Sequence, residues 1–157
     1  MTFRIPCLHI LGGVLALAVA GCSSYPQDPF LGTWQCSGEA TNDYTQPAVS
    51  TQMVGTMSTV AVSDDGRGNV TQIRTTSTGT TCTYHSRLSS DGATLTAVTP
   101  ESCTSGSVTT TVTGGTSVMD PSDAYFTSTS AYTLSGTNAM GQMVQGSGSA
   151  SGTCSRM

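Results

Sequence analysis

The chain contains no lysine. Its 5 fixed cations are all arginines, Asp and Glu number 9, and the formal net charge over 157 residues is −4. With only 9% charged residues and no basic cluster, it lacks the positive surface that a phosphate backbone demands, which excludes nucleic acid as a partner. The histidines are His9 and His85, and no cysteines form a close C-x-x-C pair, so a zinc site of spaced thiolates and imidazoles is excluded. Aromatics are few (one Trp, five Tyr, three Phe), and beyond residue 21 the leucines are Leu31, Leu88, Leu95 and Leu134. No stretch after that point sustains a helical apolar period, which argues against a helical bundle.

What is present at the start is an address. Met1 to Arg4 carry a positive charge and Ile5 to Ala20 are apolar apart from His9, the layout of a secretory signal peptide. The apolar run is too short to span a bilayer permanently. Val19-Ala20-Gly21-Cys22 resembles the bacterial lipoprotein processing site. The resemblance implies that residues 1–21 are removed, that Cys22 takes a diacylglyceryl group on its thiol, and that the new amine is acylated, palmitate being the expected kind of chain. Several acyl chains on one residue anchor stably where one would not. Ser23 rather than Asp follows, which in the enteric sorting rule directs the protein to the outer membrane. The expected layout is a signal peptide (1–21), a lipid-anchored tether (22–29) containing Pro26 and Pro29, and one domain (30–157) of a size suited to a single fold.

Of the six cysteines, Cys7 leaves with the signal and Cys22 carries lipid. The even remainder, Cys36, Cys82, Cys103 and Cys154, reads as a disulfide framework in an exported chain, with three possible connectivities. Cys82 and Cys103 flank the Asp91-Gly92 turn at nearly equal distance, the offset requiring a loop or bulge near Pro100. Cys36 and Cys154 fall in the first and last strands, which become neighbours if the sheet closes. The favoured pairing is therefore Cys36 with Cys154 and Cys82 with Cys103.

Abundant Thr and Ser with recurrent Gly is the composition of strands and turns. Eight strands are expected, near Thr33 to Thr41, Ser50 to Ser63, Gly68 to Ser77, Thr80 to Leu88, Ala93 to Thr99, Ser107 to Met119, Ala124 to Leu134 and Gln142 to Cys154. Turns are expected at Asp64 to Gly68, Ser89 to Gly92, Asp120 to Asp123 and Ser135 to Asn138, each containing Gly or Pro. Consecutive hairpins imply an antiparallel meander. Alternation places Cys82, Tyr84, Ser86 and Leu88 on one face and Thr83, His85 and Arg87 on the other; Phe126, Tyr132 and Leu134 share a parity, as do Leu95 and Ala97. The core is thin, so two disulfides at about 2 to 4 kcal/mol each carry a large share of its stability.

Gly32-Thr33-Trp34, following Phe30-Leu31, resembles the Gly-x-Trp opening of the calycin barrels, the lipocalins, bacterial avidins and their relatives. The resemblance implies an eight-stranded up-and-down barrel in which Trp34 closes one end and a basic residue from the last strand packs across it, a place that Arg156, just after the expected last strand, is positioned to take. A β-sandwich is the alternative. Trp34-Gln35-Cys36 with a late cysteine is also similar to the layout of small-barrel lysozyme inhibitors and barrel-shaped protease inhibitors, although Ser135-Gly136 lacks the aromatic of their inhibitory loop.

Catalysis finds no set of residues. A nucleophilic serine needs a base, and His85 is the candidate, with Asp91 or Glu101 as a carboxylate that the fold would have to bring near; an exposed strand histidine is the simpler reading. Asp64 and Asp65 are adjacent in a turn and unlike a glycosidase pair. The Asp64 to Asn69 segment has calcium-loop composition, but Arg67 puts a cation inside it and the distal acid is missing, so a hairpin is expected. No catalytic, cofactor-binding or metal residues are assigned. The sequence reads as a non-catalytic envelope lipoprotein whose barrel binds a small ligand or a protein partner, with hydrolase inhibition and a structural surface role as alternatives.

Overall fold

The computed structural model describes residues 29–46, 52–65, 68–122 and 124–157, so the signal, Cys22 and the tether up to Asp28 lie outside the described residues. Among the described residues there are strands and turns and no helices. The strands are β1 (Gly32–Gln46), β2 (Gln52–Asp64), β3 (Asn69–Thr76), β4 (Thr81–Leu88), β5 (Thr94–Ala97), β6 (Glu101–Ser105), β7 (Val108–Met119), β8 (Tyr125–Thr137) and β9 (Met143–Arg156).

Every pairing is antiparallel and joins sequence neighbours, except that β1 pairs with β9 and β5 with β7. β5 and β6 occupy one position in the wall. β5 pairs with the later part of β7 (Thr94 opposite Val118) and β6 with its earlier part (Glu101 opposite Val112). They are two halves of one strand interrupted at Val98 to Pro100, and the sheet closes as an eight-stranded up-and-down barrel with no open edge. The expected all-β barrel is therefore the fold, and the sandwich alternative is excluded.

Two local expectations are corrected. The segment 101–105, read as part of a connection, is strand β6: Ser102 and Thr104 face Thr111 and Thr109 of β7 through hydroxyl pairs at 2.7 and 2.9 Å, so polar residues without an apolar pattern still form a strand. The turn expected at Ser135 to Asn138 lies further on. Gly136 remains in the ladder, at φ 148°, where a side chain would collide with the Ser107 carbonyl. The turn instead spans Asn138 to Gly141, because the Asn138 carboxamide oxygen accepts the Met140 and Gln142 N–H groups and Gly141 supplies the positive φ.

The apolar core fills one end of the barrel. Phe30, Trp34, Val60, Val62, Val70, Leu95, Met119, Phe126 and the Cys36 and Cys154 sulfurs are buried together, with Leu31 and Leu88 against them. Trp34 packs edge-on against Phe126 at 4.9 Å between ring centroids, and its indole N–H donates to the Phe30 carbonyl at 2.8 Å. Cys36 and Cys154 are directly opposite across β1 and β9 and are disulfide-bonded; Cys82 of β4 is bonded to Cys103 of β6.

Candidate functional site: the barrel cavity

Alternation along each strand sends one set of side chains inward, and above the core that set is small or polar. On β9 the inward positions run Gly146, Gly148, Ala150, Gly152, which leave the wall bare. Tyr132 from β8 lies across Gly148, whose place a β-carbon would contest, and its hydroxyl donates to the Asn42 carboxamide oxygen at 2.7 Å. The opposite wall carries Ser58 on β2, Gln72 and Arg74 on β3, and Tyr84 and Ser86 on β4.

Between these walls lie two adjoining chambers. The deeper, about 240 Å³, rests on Leu95 and Phe126 and is walled by a mixture of apolar groups such as Ala40, Val60 and Val112 and polar ones such as Gln72, Ser86 and Ser117. The outer, about 220 Å³, opens between the β3–β4 and β6–β7 hairpins, beside the Cys82–Cys103 disulfide and the hydroxyls of Thr76, Thr78, Thr80 and Ser105. Both chambers touch Arg74 and Tyr84. A Thr80–Ser105 hydroxyl pair at 2.8 Å ties the two hairpins at the rim.

Arg74 is the charged group where the chambers meet. Its Nε donates to the Ser58 hydroxyl at 3.0 Å, and among the described residues no ion pair joins it to a carboxylate. Burial lowers its pKa from the ordinary value and the adjacent Tyr84 acts against that shift; an arginine nonetheless remains cationic. Burial likewise raises the Tyr84 pKa, Arg74 opposing the rise and Glu101 adding to it, which keeps the phenol neutral and able to donate. Gln72 donates to the Ser86 hydroxyl at 2.8 Å.

The wall break at Val98 to Pro100 is sealed by Glu101. Its carboxylate accepts the His85 backbone N–H at 2.7 Å and meets His85 Nδ1 at 2.6 Å, while the Val98 N–H donates to the His85 carbonyl at 2.9 Å. Of the two carboxylates considered as partners of His85, the fold brings Glu101; Asp91 instead caps its own turn, accepting from the Ser89 hydroxyl and the Ala93 N–H. Half-exposed His85 faces outward, and its carboxylate is committed to replacing a missing ladder bond. In the Asp64 to Asn69 segment, Asp65 accepts the Asn69 N–H at 3.1 Å and its side-chain amide at 3.0 Å, a hairpin cap; Gly66 and Arg67 lie outside the described residues. No group of metal-ligating side chains occurs among the described residues.

Trp34 and Arg156 sit at the opposite, closed end. The Arg156 guanidinium lies 4.6 Å from the indole centroid and donates to the Leu31 and Pro29 carbonyls at 3.0 and 2.8 Å.

No protein-family model and no curated protein matches this chain. Several solved structures align with it, among them two proteins of low identity. A protein of unknown function from the DUF3598 family of Nostoc punctiforme is 13% identical with a TM-score of 0.38, covering 82% of this chain and 48% of that one. Rv2717c from M. tuberculosis is 15% identical with a TM-score of 0.34, covering 83% and 94%. The chain thus spans about half the length of the first.

The cavity residues Arg74, Gln72 and Tyr84 were not legible as a site. In β3 the apolar signal points the wrong way: Ile73 is 42% exposed on the outside, while its neighbour Arg74 turns in. The usable signal was the ladder itself, since Arg74 and Gln72 pair with Cys82 and Tyr84, whose shared face was readable.

Proposed function

We propose that this chain is a non-catalytic lipoprotein of the cell envelope, anchored through lipid on Cys22 and bound for the outer membrane, whose barrel holds a small ligand. The observation that carries the reading is the cavity: it is concave, preformed, apolar at its floor and polar at its mouth, the combination on which small-molecule sites are built. The anchor follows from Val19-Ala20-Gly21-Cys22 and is compatible with the fold. The first described residues, Pro29 and Phe30, lie at the closed end, so a tether leaving there would point the mouth away from the membrane.

The test is a titration of the isotope-labelled protein with a fragment library, read by amide chemical shifts. Ligand binding predicts shifts clustered on Leu95, Tyr84, Arg74 and Tyr132, and their loss in Ala150→Leu, which fills the chamber. Shifts confined to outer loops, or a library without hits, contradict the reading. Labelling with a radioactive fatty acid checks the anchor separately: incorporation is expected in the native chain and absent in Cys22→Ala.

A further inference from the structure

We propose that the cavity selects small organic carboxylates, the head group seated on Arg74 at the junction of the two chambers and a short apolar body directed at Leu95 and Phe126. This inference rests on the ligand-binding reading above and narrows it to a chemical class.

Placing a guanidinium inside a barrel removes it from water, and such a group is ordinarily retained with a carboxylate beside it. Arg74 has one hydrogen bond to a neutral hydroxyl and no acidic partner among the described residues. The one acid lining the deeper chamber, Glu101, spends both oxygens on His85 and does not line the outer chamber at all. Arg74 therefore retains donors for a planar anion, and the fork of its N–H groups matches a carboxylate.

The surroundings fit the same ligand. Tyr84 is a neutral phenol facing both chambers and can donate a second bond. Thr56 and Thr110 line both chambers too, adding hydroxyls around the head-group position. Beyond them the deep floor offers Val60, Leu95, Phe126 and alanines, with the neutral Ser86 and Ser117 hydroxyls beside them and Glu101 already held by His85, suited to a short aliphatic or single-ring body. An organic cation would meet Arg74 at the entrance and be repelled; a neutral ligand would leave the guanidinium unpaired.

The test is calorimetry on the full chain with its disulfides formed, in non-ionic detergent with a matching detergent blank. The probes are hexanoate, 1-hexanol and hexylammonium. The expected result is hexanoate binding about ten- to hundredfold tighter than 1-hexanol, the gain of charge-assisted hydrogen bonds in a partly dry site, with hexylammonium weakest. Arg74→Gln should bring hexanoate to the level of 1-hexanol, and Arg74→Lys should keep part of the preference. Equal or tighter binding of 1-hexanol to the native chain overturns this inference while leaving ligand binding intact, and needs no variant to fold. Failure of all three probes to bind overturns both.

Discussion

Arg156, near the end of the last strand, lies over the face of Trp34, near the start of the first, with 4.6 Å from guanidinium to ring centroid. The contact staples the last strand to the segment leading into the first, because the same guanidinium also donates to the carbonyls of Leu31 and Pro29. Arg156→Ala removes a cation–π contact worth about 0.5 to 1 kcal/mol and two charge-assisted bonds at an exposed site. A loss of roughly 1 to 2 kcal/mol is expected in urea unfolding, against about 3 to 5 kcal/mol for Trp34→Ala, which opens a hole in the core. Equal losses would show that the stacking, rather than burial of the indole, dominates this end.

The two disulfides close very different loops, 118 residues apart for Cys36–Cys154 and 21 for Cys82–Cys103. Chain-entropy arguments make the longer link worth about 1.5 kcal/mol more. The longer link is also buried in the core, whereas the shorter stands at the mouth. Replacing Cys36 and Cys154 together by Ala should therefore lower the melting temperature further than replacing Cys82 and Cys103. The second pair should chiefly loosen the rim, seen as faster amide exchange in the β3–β4 and β6–β7 hairpins. The reverse order of melting temperatures would contradict this.

Two glycines make a matched pair. A β-carbon at Gly148 would fall into the ring of Tyr132 and against the Thr41 carbonyl, while at Gly55 it would meet nothing. Gly148→Ala should destabilise by about 1 to 3 kcal/mol through overpacking, and Gly55→Ala should be neutral or stabilise by up to about 1 kcal/mol by restricting the unfolded chain. Thermal melts of the two variants decide it.

Acid should weaken the turns. Hydrogen bonds from Ser89 and the Ala93 N–H hold Asp91 below the usual carboxylate pKa, and those from the Ser122 hydroxyl, the Ser122 N–H and Tyr125 do the same for Asp120. A folded-state pKa below the unfolded one gives stability that is present above about pH 4 and is lost as pH falls through the folded value. Asp91→Asn should flatten that acid limb in a series of melts from pH 6 to pH 2; an unchanged slope would assign the limb to other groups.

How much of this was readable in the sequence varied with the physics of each element. The Asp91-Gly92 turn was legible because positive φ restricts the residues that can stand there, and Gly92 has φ 74°. The inward face of β4 was legible from Cys82, Tyr84, Ser86 and Leu88. The break beside Pro100 falls where the unequal spacing of Cys82 and Cys103 asks for an irregularity. β6 was not legible, since Glu-Ser-Cys-Thr-Ser has no apolar rhythm and owes its strand conformation to its place between β7 and the disulfide. The cavity was not legible either. An interior made of Ser, Thr, Gly, Gln and Arg defeats any rule that sends polar residues outward, and Ile73 beside Arg74 makes the misreading worse.

The central claim is that the barrel keeps an open, ligand-accessible chamber above its core. The most direct measurement is a crystal structure determined under xenon pressure, because xenon enters dry apolar space without needing a specific recognition group. The account predicts a bound atom among Val60, Leu95 and Phe126, with Arg74 and Tyr84 standing clear of it. An interior closed by inward collapse of those side chains, with no xenon site, would contradict it.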